Sequence, residues 1–389
     1  MPKFLPSRYR NLPDEAYDET EELLALMIAE IESVYGQAYD EMKAKAEKYL
    51  TWFVESDKKW NEAYTNGEVT KKQYQDWRQN KLLTGLHWFA MAETMSNDLA
   101  NVNGIAYSII NDYIPEVYAI NGNWAAYQVE KSTRINTSFE LFDEQTVERL
   151  IRDKPELLPQ ASVNIPLDKK WNQQNLQSAV MQSILQGESV DELASRLASV
   201  SDMNQSSAVR NAKTMVTSAQ NGGRQNSYER AESMGIELQK CWLATLDGHT
   251  RYSHRQMDGK TVGIHEKFPN GLEFPGDPRG APEEVYNCRC RTISIFPNQD
   301  FSKFERNDRL GTMEYDDWKN AHGGEPIFKK ARNVNRDYDM MREYRSLLGN
   351  KIPSNINEFQ DLKYNRPDEW KKTVSDARKA RNAKRSKAK

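Results

Sequence analysis

The stretch from Trp242 to Arg291 constrains this chain most, because its composition forbids one long helix. Asp-Gly pairs at Asp247-Gly248 and Asp258-Gly259 favour tight hairpin turns, since Gly tolerates positive φ. A run rich in Pro and Gly follows, from Phe268-Pro269 to Asp277-Pro278, and predicts an ordered crossing of the surface. The pattern predicts two or three short strands joined by tight turns, with the loop returning Asn287 to Arg291 beside the first hairpin. Two of the three cysteines and three of the five histidines lie here. Cys288 and Cys290 are two apart, so an extended backbone turns both sulfurs to one face, where such a pair can hold one ion.

Around this stretch the pattern is helical. Acidic residues from Asp14 open a helix in which Leu24, Ile28, Ile31 and Tyr35 recur at steps of three and four, with a break expected near Gly36. Gly67 marks a turn into a second helix from Thr70 to Leu83. The longest apolar pattern, through Met95, Leu99, Val102, Ala106 and Ile109, is expected to stop at Pro115. Shorter helices are expected at Asn123 to Glu130, Asp143 to Arg152 and Gln173 to Leu185. Another is expected at Val190 to Val200, behind a Ser189/Glu192 capping box, and one more from Ser207 to Gln220, leading through Gly222-Gly223 into a further helical stretch. Packed antiparallel, these helices use Trp52, Trp60, Trp77, Trp88 and Trp124 either as core or as interface anchors. Beyond Pro297 a short helix begins at Tyr315, and Arg332 to Arg345 sets Tyr338, Met341 and Tyr344 on one face. The last nineteen residues offer Val374 as their one large apolar side chain and are expected to be helical only when bound.

Trp242, Asp247 followed by Thr250-Arg251 and then His254, the Gly259 turn and the closing Asn287-Cys288-Arg289-Cys290-Arg291 form a compound pattern, preceded by a helix from Asn211 to Ile236. It resembles the phage Mu F-like family of minor head proteins, also called phage head morphogenesis proteins, over roughly residues 170 to 297. The expected fold is mainly α, in helical bundle regions, with a small Mu F-like α+β core and a polar C-terminal extension that is helical or disordered. The expected segments are 1–120, a helical region that docks on the portal; 121–235, a central helical region; 236–297, the core; and 298–389, a charged extension with a basic tail. Asp247, Thr250, Arg251, Gly259 and Asn287 are then structural residues of the core. The resemblance implies a minor structural protein inside a tailed-phage head at the portal vertex, acting in head morphogenesis and in DNA packaging or ejection. Its implied partners are the portal protein, packaged double-stranded DNA and capsid or scaffold proteins.

Composition supports an extended or partner-covered chain. Only 38% of the 389 residues are hydrophobic, and the mean hydropathy is −0.86, so much helix surface must face water or a partner. The net charge of −3 hides segregation: every charged residue from Asp14 to Glu41 is acidic, whereas Lys371 to Lys389 is basic apart from Asp376. Ends of opposite sign suit different partners. Three cysteines make no disulfide framework, which fits synthesis in a reducing cytoplasm, that of the bacterial host on the resemblance. The amino terminus lacks the apolar segment of a secretory signal, and no run is long enough to span a membrane. Walker A, dinucleotide, His-Glu-x-x-His and nucleophile-elbow patterns are absent.

Two readings stand for His254, Cys288 and Cys290. One is a zinc site completed by His249, His265 or Cys241, and the other is a small packed core in which His254 hydrogen-bonds to the turn. A metal-dependent hydrolase, nuclease or peptidase, or a delivered effector, is the rival function built on the same residues. Asp247, Arg251, His254 and Glu283 form its candidate catalytic set, with His254 as base. In the tail, Arg378, Lys379, Arg381, Lys384, Arg385 and Lys387 are candidates for contacts to DNA phosphates, which need clustered charge and read no sequence.

Overall fold

The structure is a computed structural model that describes residues 13–83, 86–137, 139–153, 164–186, 190–297, 304, 306–324, 334–354 and 356–387. It is 73% helical, with one small antiparallel sheet. The chain forms two compact units, each assembled from separated stretches. The first takes Met1–Ala29, Ile109–Ala161 and Val209–Asn333, and the second takes Glu30–Ser108, Ser162–Ala208 and Val334–Lys389. No helix among the described residues is long and apolar enough to cross a membrane.

Three long helices contribute to both units: α1 (Glu15–Thr65), α3 (Leu86–Thr133) and α6 (Val190–Ser233). Each continues through a residue at which the sequence predicts a break. In α1, Val34, Tyr35, Ala38 and Met42 are buried on both sides of exposed Gly36, and their burial outweighs the roughly 1 kcal/mol that a helical Gly costs. In α3, Pro115 lies inside the helix. Ile109, Ile110, Tyr113 and Ile114 before it and Val117, Tyr118 and Asn121 after it are all buried. Packing on both flanks offsets a proline cost of about 3 kcal/mol. The expected helix at Asn123 to Glu130 is the last part of this same α3. Gly223 does not break α6, because there it serves close packing: a Cβ at Gly223 would lie 2.2 Å from the Tyr118 carbonyl oxygen of α3.

The second unit holds its helices partly through buried asparagines. Tyr35 donates to Asn103 at 2.5 Å, Asn103 donates to Asn204 at 2.9 Å and to Asp168 at 2.7 Å, and Asn204 donates to Asn172 at 2.8 Å. This chain ties α1, α3, α5 (Ile165–Gln186) and α6 in one register, since a slip would strand buried amides. Met42, Met95, Leu99, Leu176, Leu193 and Leu197 pack beside it. Thr70 and Gln73 form a reciprocal capping box at the start of α2 (Lys71–Leu83). Trp60 stacks on Trp77 with centroids 5.1 Å apart. The Trp52 and Trp88 side chains and the Ser189 cap lie outside the described residues.

The carboxy-terminal helices α10 (Val334–Leu348), α11 (Ile356–Asn365) and α12 (Pro367–Lys387) form a small bundle. The sequence predicts that the last nineteen residues need a partner to become helical, yet α12 is helix through Lys387. Its anchor lies upstream of the charged tail, where Trp370 stacks on Tyr344 at 5.7 Å and meets the edge of Phe359 at 5.6 Å. Ala377 is buried, and Arg381 pairs with Glu343 at 2.6 Å.

In the first unit Trp124, Tyr127, Ile135, Phe139, Tyr228, Ile236, Ile264 and Leu310 form the main core, which also holds Tyr315 and Trp318 of α9 (Tyr315–Ala321). The sheet comprises β1 (Gln239–Leu243), β2 (Thr261–Gly263) and β3 (Arg291–Ile295) in the order β2-β1-β3. Cys241 pairs with Thr261 on one side and Ile293 on the other. The β1–β2 connection closes at Gly259, whose φ of 74° and bond to the Trp242 carbonyl make the predicted turn. At Asp247-Gly248 the chain does not form a hairpin. It bends into the short helix α7 (Tyr252–Met257), because Asp247 Oδ1 accepts from the His249 amide at 2.9 Å and from the Thr250 hydroxyl at 3.1 Å.

Candidate metal centre

α7 delivers the histidine and the segment before β3 delivers the two sulfurs. His254 is buried, with the edge of its ring against Trp242 of β1 at 5.2 Å. Trp242 in turn meets Phe268 of the Pro/Gly-rich loop at 5.1 Å, and Met257, Leu272 and Val285 close the same small core. After α8 (Pro282–Val285), Asn287 adopts a φ of 56°, a left-handed conformation that Asn tolerates better than most residues, and turns the chain into Cys288-Arg289-Cys290.

Both cysteine sulfurs then stand 3.5 Å from His254 Nδ1, and the three ligand atoms lie within 4.8 Å of one another. On the far side of the ring, Nε2 faces Glu284 Oε2 at 3.1 Å, off the line of a hydrogen bond. The thiols are free and buried. A hydrogen bond from Cys288, with His254 nearby, holds the Cys290 thiol well below its ordinary range, against its burial. The same contact, with burial, pushes Cys288 up.

A polar stripe on α6 holds the cysteine segment from behind. Thr214, Thr217, Asn221 and Arg224 recur at steps of three and four, on one helix face. Thr214 accepts from the Asn287 amide at 3.0 Å, and Thr217 donates to the Cys288 carbonyl. Asn221 donates to the Cys290 carbonyl at 3.1 Å and accepts from the Thr292 amide at 2.9 Å, while Arg224 donates to the Thr292 carbonyl at 3.0 Å. Side chains thus satisfy the backbone groups that an irregular buried segment leaves without a ladder. Arg224 also forms a two-pronged pair with Asp14 at 2.8 and 3.0 Å, and donates to Asn121.

Of the residues expected to be structural, Asp247, Thr250, Arg251 and Asn287 bear on this segment, while Gly259 lies in the turn between β1 and β2. Asp247 pairs with Arg289 at 2.6 Å, Thr250 caps the Asp247 turn, Arg251 donates to the Tyr286 carbonyl, and Thr245 donates to the Arg289 carbonyl at 2.6 Å. The candidate catalytic set is not brought together. Asp247 engages Arg289, Glu283 is exposed, and the carboxylate that reaches His254 is Glu284. Of the three suggested further ligands, His265 is exposed and pairs with Glu232 at 2.8 Å, and His249 is exposed. Cys241 bonds to the Trp242 carbonyl, and burial pushes its thiol up to about 12. None joins the cluster found among the described residues. In the tail, Arg378 and Lys379 are exposed, Arg381 is held by Glu343, and Lys384, Arg385 and Lys387 lie on α12 with side chains outside the described set.

Residues 174–293 match the family described as Phage Mu protein F like protein. Over 197 residues the chain is 28% identical to the Minor head protein GP7 of Bacillus phage SPP1, a match covering 49% of this chain and 62% of that protein. It is also 29% identical over 202 residues to a protein of Enterococcus faecalis named NAD(+)--arginine ADP-ribosyltransferase EFV, covering 51% of this chain and 41% of that protein. Less than two thirds of either relative is therefore spanned. No solved structure matches the chain.

Proposed function

We propose that this chain is a minor structural protein of a tailed-phage head, held at the portal vertex on the capsid interior, and that it acts in head morphogenesis and in DNA packaging or ejection. The observation that carries the reading is the match of residues 174–293 to the Mu F-like family, together with a match over 197 residues to a protein named as a minor head protein. Segment 1–120 is the proposed portal-docking region, with capsid or scaffold proteins as further neighbours. Mass spectrometry of purified virions tests the assignment: the chain is expected in the particle at a copy number near that of the portal. Its absence from particles that contain the portal would overturn the reading.

The basic end is proposed to meet packaged DNA. Each Lys or Arg that neutralises a phosphate releases counterions, so affinity should fall steeply with salt and ignore sequence. Exchanging Arg378, Lys379, Lys384, Arg385 and Lys387 for Gln should flatten the slope of log affinity against log salt by about 0.9 for each residue that contacts a phosphate. Trp370 and Ala377 stay in place, so the helix anchor is kept. An unchanged slope in an electrophoretic shift series would leave the tail as a solvated end.

One observation favours a second reading, a delivered effector: the relative whose name states an NAD-dependent arginine ADP-ribosyltransferase activity. Incubation of the chain with labelled NAD and an arginine-rich acceptor separates the two. Transfer of label would make this an enzyme. A hydrolase built on His254, Cys288 and Cys290 is disfavoured by access, because these side chains are 1%, 2% and 3% exposed.

A further inference from the structure

We propose that His254 Nδ1 and the Cys288 and Cys290 sulfurs bind one zinc ion, which cross-links α7 to the entry of β3, with Glu284 as the carboxylate that orients the histidine. The inference does not depend on the head-protein reading.

The first support is a count of lone pairs. Both sulfurs stand 3.5 Å from the same ring nitrogen, which in neutral imidazole offers one lone pair, or one proton, to one partner. A hydrogen bond accounts for the approach of one sulfur to Nδ1 and leaves the equally close approach of the second unexplained. A tetrahedral ion accounts for both: Zn–S near ~2.3 Å and Zn–N near ~2.0–2.1 Å place sulfur and nitrogen about 3.6 Å apart.

The second support is the surroundings of the ligands. Ligating histidines commonly direct the other ring nitrogen at a carboxylate, which sets the tautomer and raises basicity. Glu284 Oε2 stands 3.1 Å from Nε2, close enough for a small turn of the carboxylate to complete such a bond, and Nδ1, which faces both sulfurs, is left as the ligand. The Cys290 amide donates to the Cys288 sulfur at 3.5 Å, so a sulfur here acts as an acceptor, the role a thiolate fills. The carbonyls of both cysteines are held on α6 by Thr217 and Asn221, which fixes the backbone that aims the sulfurs. Two thiolates and an imidazole select zinc over hard cations, which prefer oxygen.

Three protein ligands leave the fourth tetrahedral position to a solvent molecule. An open position is the pattern of a catalytic zinc, but burial of all three side chains denies a substrate the approach, and the ion's role is to hold loops. The loop from Ile264 to Ala281 contains no regular element, and a cross-link from α7 to the entry of β3 fixes the chain on both sides of it.

The test uses the full chain purified without a metal-binding tag. Elemental analysis should find one zinc per chain, and replacement by cobalt(II) should produce a thiolate-to-metal charge-transfer band. A strong chelator should remove the ion and lower the unfolding temperature. The Cys288→Ser/Cys290→Ser double variant should lose the band. Glu284→Gln should keep it with affinity about 10- to 100-fold weaker in a chelator competition. Folded wild-type chain that takes up neither zinc nor cobalt overturns the proposal, and so does a band that survives in the double cysteine variant. The wild-type measurement decides even if that variant does not fold.

Discussion

Replacing Arg224 with Met is expected to lower the unfolding free energy by about 3–5 kcal/mol, the range for removing one partner of a buried ion pair. Arg224 is fully buried and its guanidinium meets Asp14, Asn121 and the Thr292 carbonyl, which lie on three widely separated parts of the chain. Without it the Asp14 carboxylate remains buried, with Arg291 Nε at 3.1 Å as its other cation, so the loss should fall toward the lower end. Denaturant unfolding of Arg224→Met, Asp14→Asn and the double variant measures the pair. The double loss should be smaller than the sum of the single losses. A loss under about 1 kcal/mol for Arg224→Met would contradict the role given to this pair.

The same pair carries a pH signature. Burial works to raise the Asp14 pKa, but the charge and hydrogen bonds of Arg224, aided by Arg291, prevail and hold it below the usual carboxylate range. A carboxyl depressed in the folded state adds stability that is complete above its unfolded value of about 3.9 and is lost as pH falls below that toward the folded value. The stability gap between wild type and Arg224→Met should therefore be constant near neutrality and narrow below about pH 4.

Gly223→Ala should be destabilising by about 2–3 kcal/mol, although Ala is the better helix former by roughly 1 kcal/mol. The added Cβ would stand 2.2 Å from the Tyr118 carbonyl oxygen and 3.0 Å from the Gly122 nitrogen. Both are helix backbone, so α3 and α6 must move apart. The same exchange at Gly104 in α3 meets no other part of the structure within 4 Å, and there the propensity term should prevail, giving a gain of up to about 1 kcal/mol. Opposite signs for one chemical change, read from paired unfolding curves, would identify packing as the cause. A neutral result at Gly223 would mean that the helices do not cross as closely as described.

Much of the site was legible from local chemistry. The spacing of Cys288 and Cys290, the Asp-Gly turn before β2 and the Pro/Gly-rich loop announce themselves, because turns and strand faces depend on residues a few positions apart. The α6 stripe left a signal too, in Thr214, Thr217, Asn221 and Arg224 at helical spacing. What it serves could not be read, since its partners lie 68 to 73 positions further along the chain. Glu284 was overlooked in favour of Glu283 because one residue of register in a single helical turn decides which carboxylate faces inward.

Helix type and approximate position were likewise determined by the sequence alone, through apolar periodicity, charge at helix ends and the local chemistry of turns. Helix length was not. Gly36, Pro115 and Gly222-Gly223 are local reasons to stop, each worth on the order of 1 to 3 kcal/mol, and the burial on both sides of these positions exceeds that cost only once the helices are packed. Tertiary structure likewise decided that α12 is helical, through Trp370 and its two aromatic neighbours. It also decided that Asp14 meets Arg224 across 210 positions of chain. Local preferences act over a few residues and can be read along the chain, whereas which distant surfaces bury one another depends on the free energy of the whole assembly.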